Sequence, residues 1–409
     1  MRPAYLDNNA STRVDPDVVG AMLPFFTEHF SNPSSMHASR GPVSAALVDA
    51  RRSVQRLVGA ANADEIVFTS GGTESDNMAL AAALGAAHGR DEIVTTRVEH
   101  AAVLACCKHL EMSMGITVRV VPVDAYGRLD LGAYERALGP RTALVSIMMA
   151  NNETGTLFPV DVLARLAHEA GALFHTDAVQ AVGRIPIDAA ASGVDLLSLS
   201  GHKLHGPKGI GALYVRRGVR LRPLLRGGHQ EGGLRPGTEN VPGIVGLGRA
   251  ADLARTRMPE QDGRIRILRD RIERGIVEQV DRGHVLGDSD HRLPNTSCIA
   301  FECVDGQALV RLLADAHVGV SSGSACASGA VEPSHVLRAM NVPFGTARGA
   351  IRFSLSRDND DSDVDRVLAA VPTFVRSLRN RSTAWRRAQN PPTDRSQIHS
   401  HAFVETHPQ

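Results

Sequence analysis

The sequence lacks the features that mark membrane and secreted proteins. No stretch approaches the roughly 18 consecutive apolar residues of a membrane span, and the N-terminus, MRPAYLDNNA, has no apolar signal region. Aromatic residues make up only 4% of the 409 residues. We therefore expect a cytoplasmic protein without a membrane partner.

The sequence also lacks an excess of either charge and a cysteine framework. The 45 Lys and Arg residues nearly balance the 44 Asp and Glu residues, so a nucleic-acid partner is not expected. The five cysteines are an odd number and form no CxxC pair, which argues against a disulfide scaffold and a structural zinc site. Their small number fits a reducing compartment.

What the sequence does contain is an alternation of β-rich and helical segments between about residues 64 and 215. Such alternation predicts an α/β domain with a mostly parallel sheet covered by helices. The predicted strands are Glu65–Thr69, Glu92–Thr96, Thr117–Val121, Thr142–Met148, Ala172–His175, Asp195–Leu199 and Gly211–Val215. The predicted helices between them include Glu74–His88, Ala101–Met114 and Asp161–Ala170.

The second half of the chain predicts a smaller α+β domain. A long charged helix over Val245–Val280 precedes a strand at Thr296–Glu302, a helix at Gln307–Ala316, a strand at Ile351–Leu355 and a helix after Asp360. We therefore predict a large domain over residues 15–259 and a small one from residues 1–14 and 260–381. Residues 382–409 are polar, and we expect them to be poorly ordered.

The segment VFTSGGTESDN has the features of a phosphate-binding turn. An apolar strand is followed by Gly71 and Gly72 and then by Thr73 at the start of a helix, whose free N–H groups favour an anion. It is not a Walker A loop, because GxxxxGK[ST] is absent, and this argues against a nucleotide site. Taken alone, Thr73 is as readily explained as a helix N-cap.

Two further segments place a carboxylate and a lysine after strands. Asp177 in FHTDAVQAVG follows one strand, and Lys203 in SLSGHKLHGPKG follows the next. Each has a plainer explanation, an N-cap for the aspartate and a solvated surface charge for the lysine. A phosphate turn, a strand-end acid and a lysine are together the parts of a pyridoxal phosphate site.

With these motifs the chain resembles the cysteine desulfurases of the class V aminotransferase group, and within them the NifS branch. The resemblance runs from about residue 4 to residue 380, through YLDNNAST, FTSGGTESDN, ANNETGT, FHTDAVQAVG, SLSGHKLHGPKG, RPGTENV, VSSGSACASGA and IRFSLSR. It implies the pyridoxal phosphate transferase fold of type I, with a large mostly parallel sheet domain and a smaller α+β domain. It also implies a homodimer.

The resemblance assigns roles to particular residues. Lys203 would form the Schiff base with pyridoxal 5'-phosphate, Asp177 would pair with the ring nitrogen, and His100 would stack on the ring and share in proton transfer. Asn152 and Gln180 would lie near the ring oxygen and the substrate, and Arg352 would bind the substrate carboxylate. The phosphate would be held by Gly72, Thr73, Ser200 and His202, and by Thr238 of the other subunit. Without the resemblance, His100 and Arg352 are better explained as a helix-entry histidine and an exposed strand charge.

Cys326 lies in SSGSACASGA, a run of small residues that suits a nucleophile on a loop able to move. The resemblance implies that it removes sulfur from L-cysteine, leaves alanine and carries a persulfide to an acceptor, such as an iron–sulfur scaffold protein. It also allows Cys326 to be a transient iron–sulfur ligand. We interpret Cys106, Cys107, Cys298 and Cys303 as small buried hydrophobic residues.

The expected function is sulfur supply for iron–sulfur clusters, with nitrogenase as the first destination and general cluster assembly as the alternative. A selenocysteine lyase, a kynureninase-like hydrolase or a transaminase would share Lys203 and Asp177 but would not need Cys326. A sulfur-relay scaffold without catalysis is the non-enzyme alternative, and the presence of both Lys203 and Asp177 argues against it.

Overall fold

The computed structural model describes residues 2–36, 41–87, 89–322 and 332–389. Its strands are β1 (Ala4–Tyr5), β2 (Ile66–Thr69), β3 (Glu92–Thr96), β4 (Thr117–Val121), β5 (Thr142–Ser146), β6 (Leu173–Asp177), β7 (Leu196–Ser200), β8 (Gly211–Val215), β9 (Gly283–Leu286), β10 (Thr296–Phe301), β11 (Val318–Gly319), β12 (Ser321–Ser322) and β13 (Ala350–Ser354). Its helices are α1 (Pro16–Met22), α2 (Pro24–Thr27), α3 (Pro42–Val58), α4 (Gly72–Ala86), α5 (Ala101–Met114), α6 (Leu131–Ala137), α7 (Val160–Glu169), α8 (Val241–Gln279), α9 (Gly306–Asp315), α10 (His335–Ala339), α11 (Phe344–Ala347), α12 (Asp361–Arg381) and α13 (Thr383–Gln389).

The central sheet has the strand order β2-β8-β7-β6-β5-β3-β4. Neighbours from β7 to β4 run parallel, whereas β8 is antiparallel to both β7 and β2. The connection from β7 to β8, residues 201–210, is shorter than the crossover of about a dozen or more residues that a parallel return needs. The predicted mostly parallel α/β sheet is therefore confirmed, with one strand reversed by the length of its connection.

Helices cover both faces of this sheet. Successive residues of β6 belong to different cores, since Leu173 packs beside α4 and α5 whereas Phe174 packs with α3, α7 and α8. The α8 helix begins at Val241, four residues before its predicted start, because the Asn240 side chain accepts a hydrogen bond from Gly243 N and Pro242 occupies the first turn.

A second sheet has the antiparallel order β12-β13-β10-β9, and β1 pairs in parallel with β11. Ile299 and Phe301 of β10 face a core formed with α9, α12 and the later part of α8, whereas Cys298 and Ala300 face the core of the large sheet. The predicted division at residues 14/15 and 259/260 remains a prediction.

The structure continues as helix past the predicted start of the tail at residue 382. Helix α13 covers Thr383–Gln389, and the indole ring of Trp385 lies 4.1 Å from the Arg379 guanidinium and 5.5 Å from that of Arg282. These cation–π contacts give the helix a place to pack. The rest of the predicted tail, residues 390–409, lies outside the described residues. Within the described ranges, no helix is long and apolar enough to cross a membrane.

Candidate active site

The amino-terminal end of α4 forms a glycine-lined edge of the site. Between β2 and α4, Gly71 adopts φ +155°, a conformation that favours glycine. A Cβ at Gly72 would lie 2.7 Å from Val179 Cγ2, so the chain segments approach too closely for a side chain. Because the first N–H groups of a helix have no intrahelical partner, this edge favours an anion.

Lys203 lies in a short 3-10 turn directly after β7. Its Nζ donates hydrogen bonds to the carbonyl oxygens of Asn9, at 2.6 Å, and Ala10, at 2.8 Å. Burial, followed by the positive charges of Arg184 and Arg352, lowers the pKa of Lys203 to about 8. About a tenth of this amine is therefore neutral at pH 7, and the neutral amine is the nucleophilic form.

Two carboxyl groups lie beside each other where β6 ends. Asp177 is 7% exposed, and its Oδ1 accepts a hydrogen bond from Val179 N at 2.9 Å. Asp76 of α4 is 1% exposed, and its carboxyl oxygen lies within 4.8 Å of both that of Asp177 and a ring nitrogen of His100. Burial raises the pKa of Asp177, although the Val179 N–H and nearby positive charges act in the opposite direction.

Arg352 on β13 is buried next to the N-terminal segment. Its Nη1 donates to Asn152 O at 2.9 Å, and its Nη2 pairs with Asp7 Oδ1 at 2.7 Å. Gln180 Nε2 donates to Asn9 O at 3.0 Å, the same carbonyl that Lys203 contacts. The YLDNNA segment therefore brings these polar side chains together through its backbone and one carboxylate.

Two histidines complete this region. His100 caps α5, with its Nδ1 accepting a hydrogen bond from Ala102 N at 3.2 Å, so it does serve as a helix-entry residue. His202 Nδ1 lies 3.3 Å from Ser11 Oγ, and burial together with the Lys203 charge lowers the pKa of His202 to about 4. The His202 ring is therefore neutral at physiological pH.

These residues surround one cavity of about 360 Å³. Ten of the twelve predicted site residues line it: Gly72, Thr73, His100, Asn152, Asp177, Gln180, Ser200, His202, Lys203 and Arg352. Thr238 is exposed and is not among the lining residues. Cys326 lies outside the described residues.

The other cysteines have the environments expected from the sequence, with one difference. Cys106, Cys107 and Cys298 are buried, and burial raises their pKa values to about 11, 12 and 12. Such thiols are poor nucleophiles, because the thiolate is the reactive form. Cys303, in contrast, is only half-buried and lies at positive φ in the turn after β10.

Sequence reasoning missed three acidic residues around the cavity. Asp7 and Asp76 lie in the YLDNNAST and FTSGGTESDN motifs but were given no role, and Glu99, which directly precedes His100, was given none either. Glu99 is fully buried, accepts hydrogen bonds from Thr96 Oγ1 at 2.7 Å and Met148 N at 3.1 Å, and burial raises its pKa to about 8. The sequence carried no signal that these three residues are buried or paired.

Comparison with known proteins agrees with this geometry. Residues 4–367 match the model of the class-V aminotransferase family. The chain belongs to the class-V aminotransferase family. A cysteine desulfurase from Gluconacetobacter diazotrophicus is 62% identical over 94% of this chain and 96% of its own, and cysteine desulfurase NifS from Azotobacter vinelandii is 55% identical over the same shares. A solved NifS-like protein superposes with a TM-score of 0.86 at 39% identity, covering 92% of this chain and all of the other.

Membership of the class-V aminotransferase family makes this chain an enzyme whose cofactor is pyridoxal phosphate. The cavity fits that group. A lysine with a lowered pKa, a buried carboxyl group and a helix N-terminus whose glycine leaves no room for a Cβ all line the same space. These are the donor types that an aldehyde, a ring nitrogen and a phosphate require.

Proposed function

We propose that this protein is a cysteine desulfurase, which converts L-cysteine to L-alanine and transfers the sulfur to an enzyme cysteine. The observation that carries the proposal is the single cavity lined by Lys203, Asp177 and Arg352. The names of the relatives at 55–62% identity support the same reaction. A structural neighbour at 35% identity, with a TM-score of 0.74, is named SspA in complex with cysteine, which supports L-cysteine as the substrate.

In this proposal the cavity residues divide into those that hold the cofactor and those that hold the substrate. When bound, pyridoxal phosphate supplies an electron sink for the substrate α-carbon. Lys203 would hold it covalently, Asp177 would pair with the ring nitrogen, and His100 would stack on the ring. Asn152 and Gln180 would lie near the ring oxygen and the substrate, and Gly72, Thr73, Ser200 and His202 would hold the phosphate.

Arg352 is the proposed carboxylate-binding residue. A guanidinium can donate two parallel hydrogen bonds to a carboxylate, which fixes the orientation of an amino acid substrate. Its buried position and its contacts with Asn152 O and Asp7 hold the guanidinium at one end of the cavity. The lowered pKa of Lys203 makes its amine able to accept a proton near neutral pH, so Lys203 and His100 are the proposed proton carriers.

Cys326 is the proposed sulfur acceptor. Its thiolate attacks the substrate sulfur, an S–S bond forms as the C–S bond breaks, and the carbon fragment takes up a proton and leaves as alanine. The atoms balance, since L-cysteine and an enzyme thiol give L-alanine and an enzyme persulfide. The high pKa values of the three buried cysteines favour Cys326 over them.

We propose that the sulfur goes to iron–sulfur cluster assembly, with nitrogenase as its destination. The NifS name of the Azotobacter vinelandii relative supports this over general assembly. The acceptor would be a scaffold protein, on which Cys326 is a transient cluster ligand. A homodimer with Thr238 reaching the other subunit's phosphate site is also proposed, and the exposure of Thr238 is compatible with it.

The test is an absorption spectrum of the purified protein with L-cysteine and dithiothreitol, with sulfide and alanine assayed in parallel. A visible cofactor band and equal amounts of the two products support the proposal. Cys326→Ala should keep the band and lose sulfide release, whereas the matched control Cys303→Ala should keep both. A band without sulfide would point to another substrate, and no band after reconstitution would overturn the enzyme assignment.

A further inference from the structure

A stripe of buried polar side chains runs from the cavity into the core of the large domain. Because side chains alternate along a strand, His175 and Asp177 of β6 point to the same face of the sheet. His175 Nδ1 lies 2.9 Å from Ser146 Oγ, and its Nε2 lies 3.0 Å from Ser198 Oγ. Asp76 of α4 lies over this stripe, with its Oδ1 3.7 Å from His175 Nε2.

Among the residues that the structure describes, His175 is the one basic group within ion-pair distance of Asp76. Asp76 Oδ1 is buried and has no hydrogen-bond partner among the described residues. The nearest basic group, His175, is fully buried and already placed between two hydroxyl groups, and burial lowers its pKa to about 3. The imidazole is therefore neutral and cannot stabilise an Asp76 carboxylate by ion pairing.

The carboxyl group of Asp177 has the opposite environment. Its Oδ1 accepts the Val179 N–H, and the side chains of His100 and Lys203 act on it as positive charges. Two buried carboxylates within 4.8 Å of each other cannot both be ionised without a large electrostatic penalty. The negative charge therefore belongs on Asp177, and the proton belongs on Asp76.

We propose that Asp76 and Asp177 form an acid–carboxylate pair that shares one proton, with Asp76 as the protonated positioning residue behind Asp177. The inference deepens the proposed function, because it rests on the site assigned there to the cofactor. Burial and the neighbouring Asp177 raise the pKa of Asp76 and outweigh the hydrogen bond from Ser198. The other titratable groups that face the pair are His100 and Glu99 ahead of α5, Cys106 of α5, and His175 and Lys203.

The pair would carry a single negative charge, which matches the single positive charge of a protonated ring nitrogen. Asp76 would then keep Asp177 in place by packing beside it rather than by adding a second charge. This role differs from that of an ionised residue that binds the cofactor directly. The two roles predict different results for Asp76→Asn, since asparagine matches a protonated aspartate in shape and in its lack of charge but cannot replace an ionised carboxylate.

Infrared spectroscopy of the holoenzyme tests the protonation state directly. Wild-type protein labelled with ¹³C-aspartate should show, at pH 7, an isotope-shifted carbonyl band of a protonated carboxylic acid, and Asp76→Asn should remove it. Glu99→Gln is the matched control, because its carboxyl group is also buried but is not an aspartate, and should leave the shifted band. If the labelled wild-type protein shows no such band at pH 7, the inference is overturned, whether or not the variant folds.

Cofactor affinity gives a second readout that does not depend on the reaction. Asp76→Asn should change the apparent dissociation constant of pyridoxal phosphate by less than about threefold, whereas Asp177→Asn should weaken it by about 30-fold or more. A loss of about 30-fold in Asp76→Asn would show that Asp76 is ionised, and would overturn the inference. Both measurements stay valid if L-cysteine proves not to be the substrate, so the two proposals can fail separately.

Discussion

The two sides of the cavity hold their charges in different ways. On the β6 side, Asp76 and Asp177 lie together in the interior, where burial raises both pKa values. On the β13 side, Arg352 is equally buried but is paired with Asp7 and bonded to Asn152 O. Paired cations keep their charge, whereas crowded acids tend to keep a proton. The cavity therefore has a cationic end suited to a carboxylate and an acidic end suited to one cation.

Lys203 lies between these two ends, and its removal should have the largest effect. Lys203→Ala should lower sulfide release by more than about 1,000-fold, because the variant lacks the amine that holds the cofactor and accepts a proton. Sulfide assays under saturating cofactor measure this effect. Lys208→Ala is the control, since Lys208 is an exposed lysine in the same segment. Retained activity in Lys203→Ala would remove the lysine from the mechanism.

Glu99→Gln sharpens the account of the acidic end. Burial raises the folded-state pKa of Glu99 from 4.5 to about 8, so the unfolded chain releases this proton first and stability falls as pH rises from about 5 to about 8. Between pH 5 and pH 7, Glu99 should cost the wild type about 2.5 kcal/mol in free energy of unfolding, and Glu99→Gln should not show this loss. Urea unfolding at several pH values measures the difference in slope.

Glu92→Gln is the control of opposite sign. A hydrogen bond from Arg119 lowers the pKa of Glu92, so its stabilisation is present above pH 4.5 and is lost as the pH falls through the folded-state pKa. The variant should therefore be less stable than wild type at neutral pH. Identical pH slopes for wild type and Glu99→Gln would contradict a protonated Glu99 in the folded state.

Arg352→Lys should weaken substrate binding at the cationic end of the cavity. Lysine keeps the charge but loses the fork of two donors, so we expect kcat/KM for L-cysteine to fall by about 30-fold, mainly through KM. Arg348→Lys is the matched control, because Arg348 lies nearby in sequence on the surface, where it pairs with Asp305. A fall in kcat with unchanged KM would mean that Arg352 does not bind the carboxylate.

The pH dependence of cofactor incorporation tests the influence of the cationic end on Lys203. With a pKa of about 8, the neutral fraction of its amine rises about tenfold between pH 7 and pH 9 and then levels off. The rate of band recovery in cofactor-free protein should follow this curve. A rate that continues to rise in proportion to hydroxide above pH 9 would indicate an ordinary lysine pKa near 10.5.

The sequence allowed most of the fold to be predicted because apolar strands and amphipathic helices leave a local pattern. Strands Glu92–Thr96, Thr117–Val121 and Gly211–Val215 and helix Ala101–Met114 were predicted with the bounds that the structure has. The antiparallel direction of Gly211–Val215 was not predicted, since it follows from the length of a connection.

For the site, too, residues in local motifs were predicted and contacts between distant segments were not. The resemblance carried by the motifs predicted ten residues that line the cavity, and most of them lie at the end of a strand or the start of a helix, whereas Arg352 lies within β13. Asp76, Glu99 and Asp7 were missed because their importance comes from burial and pairing between distant segments. Asp7, for example, meets Arg352 across 345 positions of the chain. Such contacts leave no local pattern.

The most direct test of the central claim is intact-protein mass spectrometry after incubation with ³⁴S-labelled L-cysteine. The account predicts one or more labelled sulfur atoms on Cys326 in the wild type, with alanine released, and no label in Lys203→Ala or Cys326→Ala. Cys303→Ala should be labelled like the wild type. Unlabelled wild-type protein in which the cofactor is present, or label that persists in Cys326→Ala, would contradict the account.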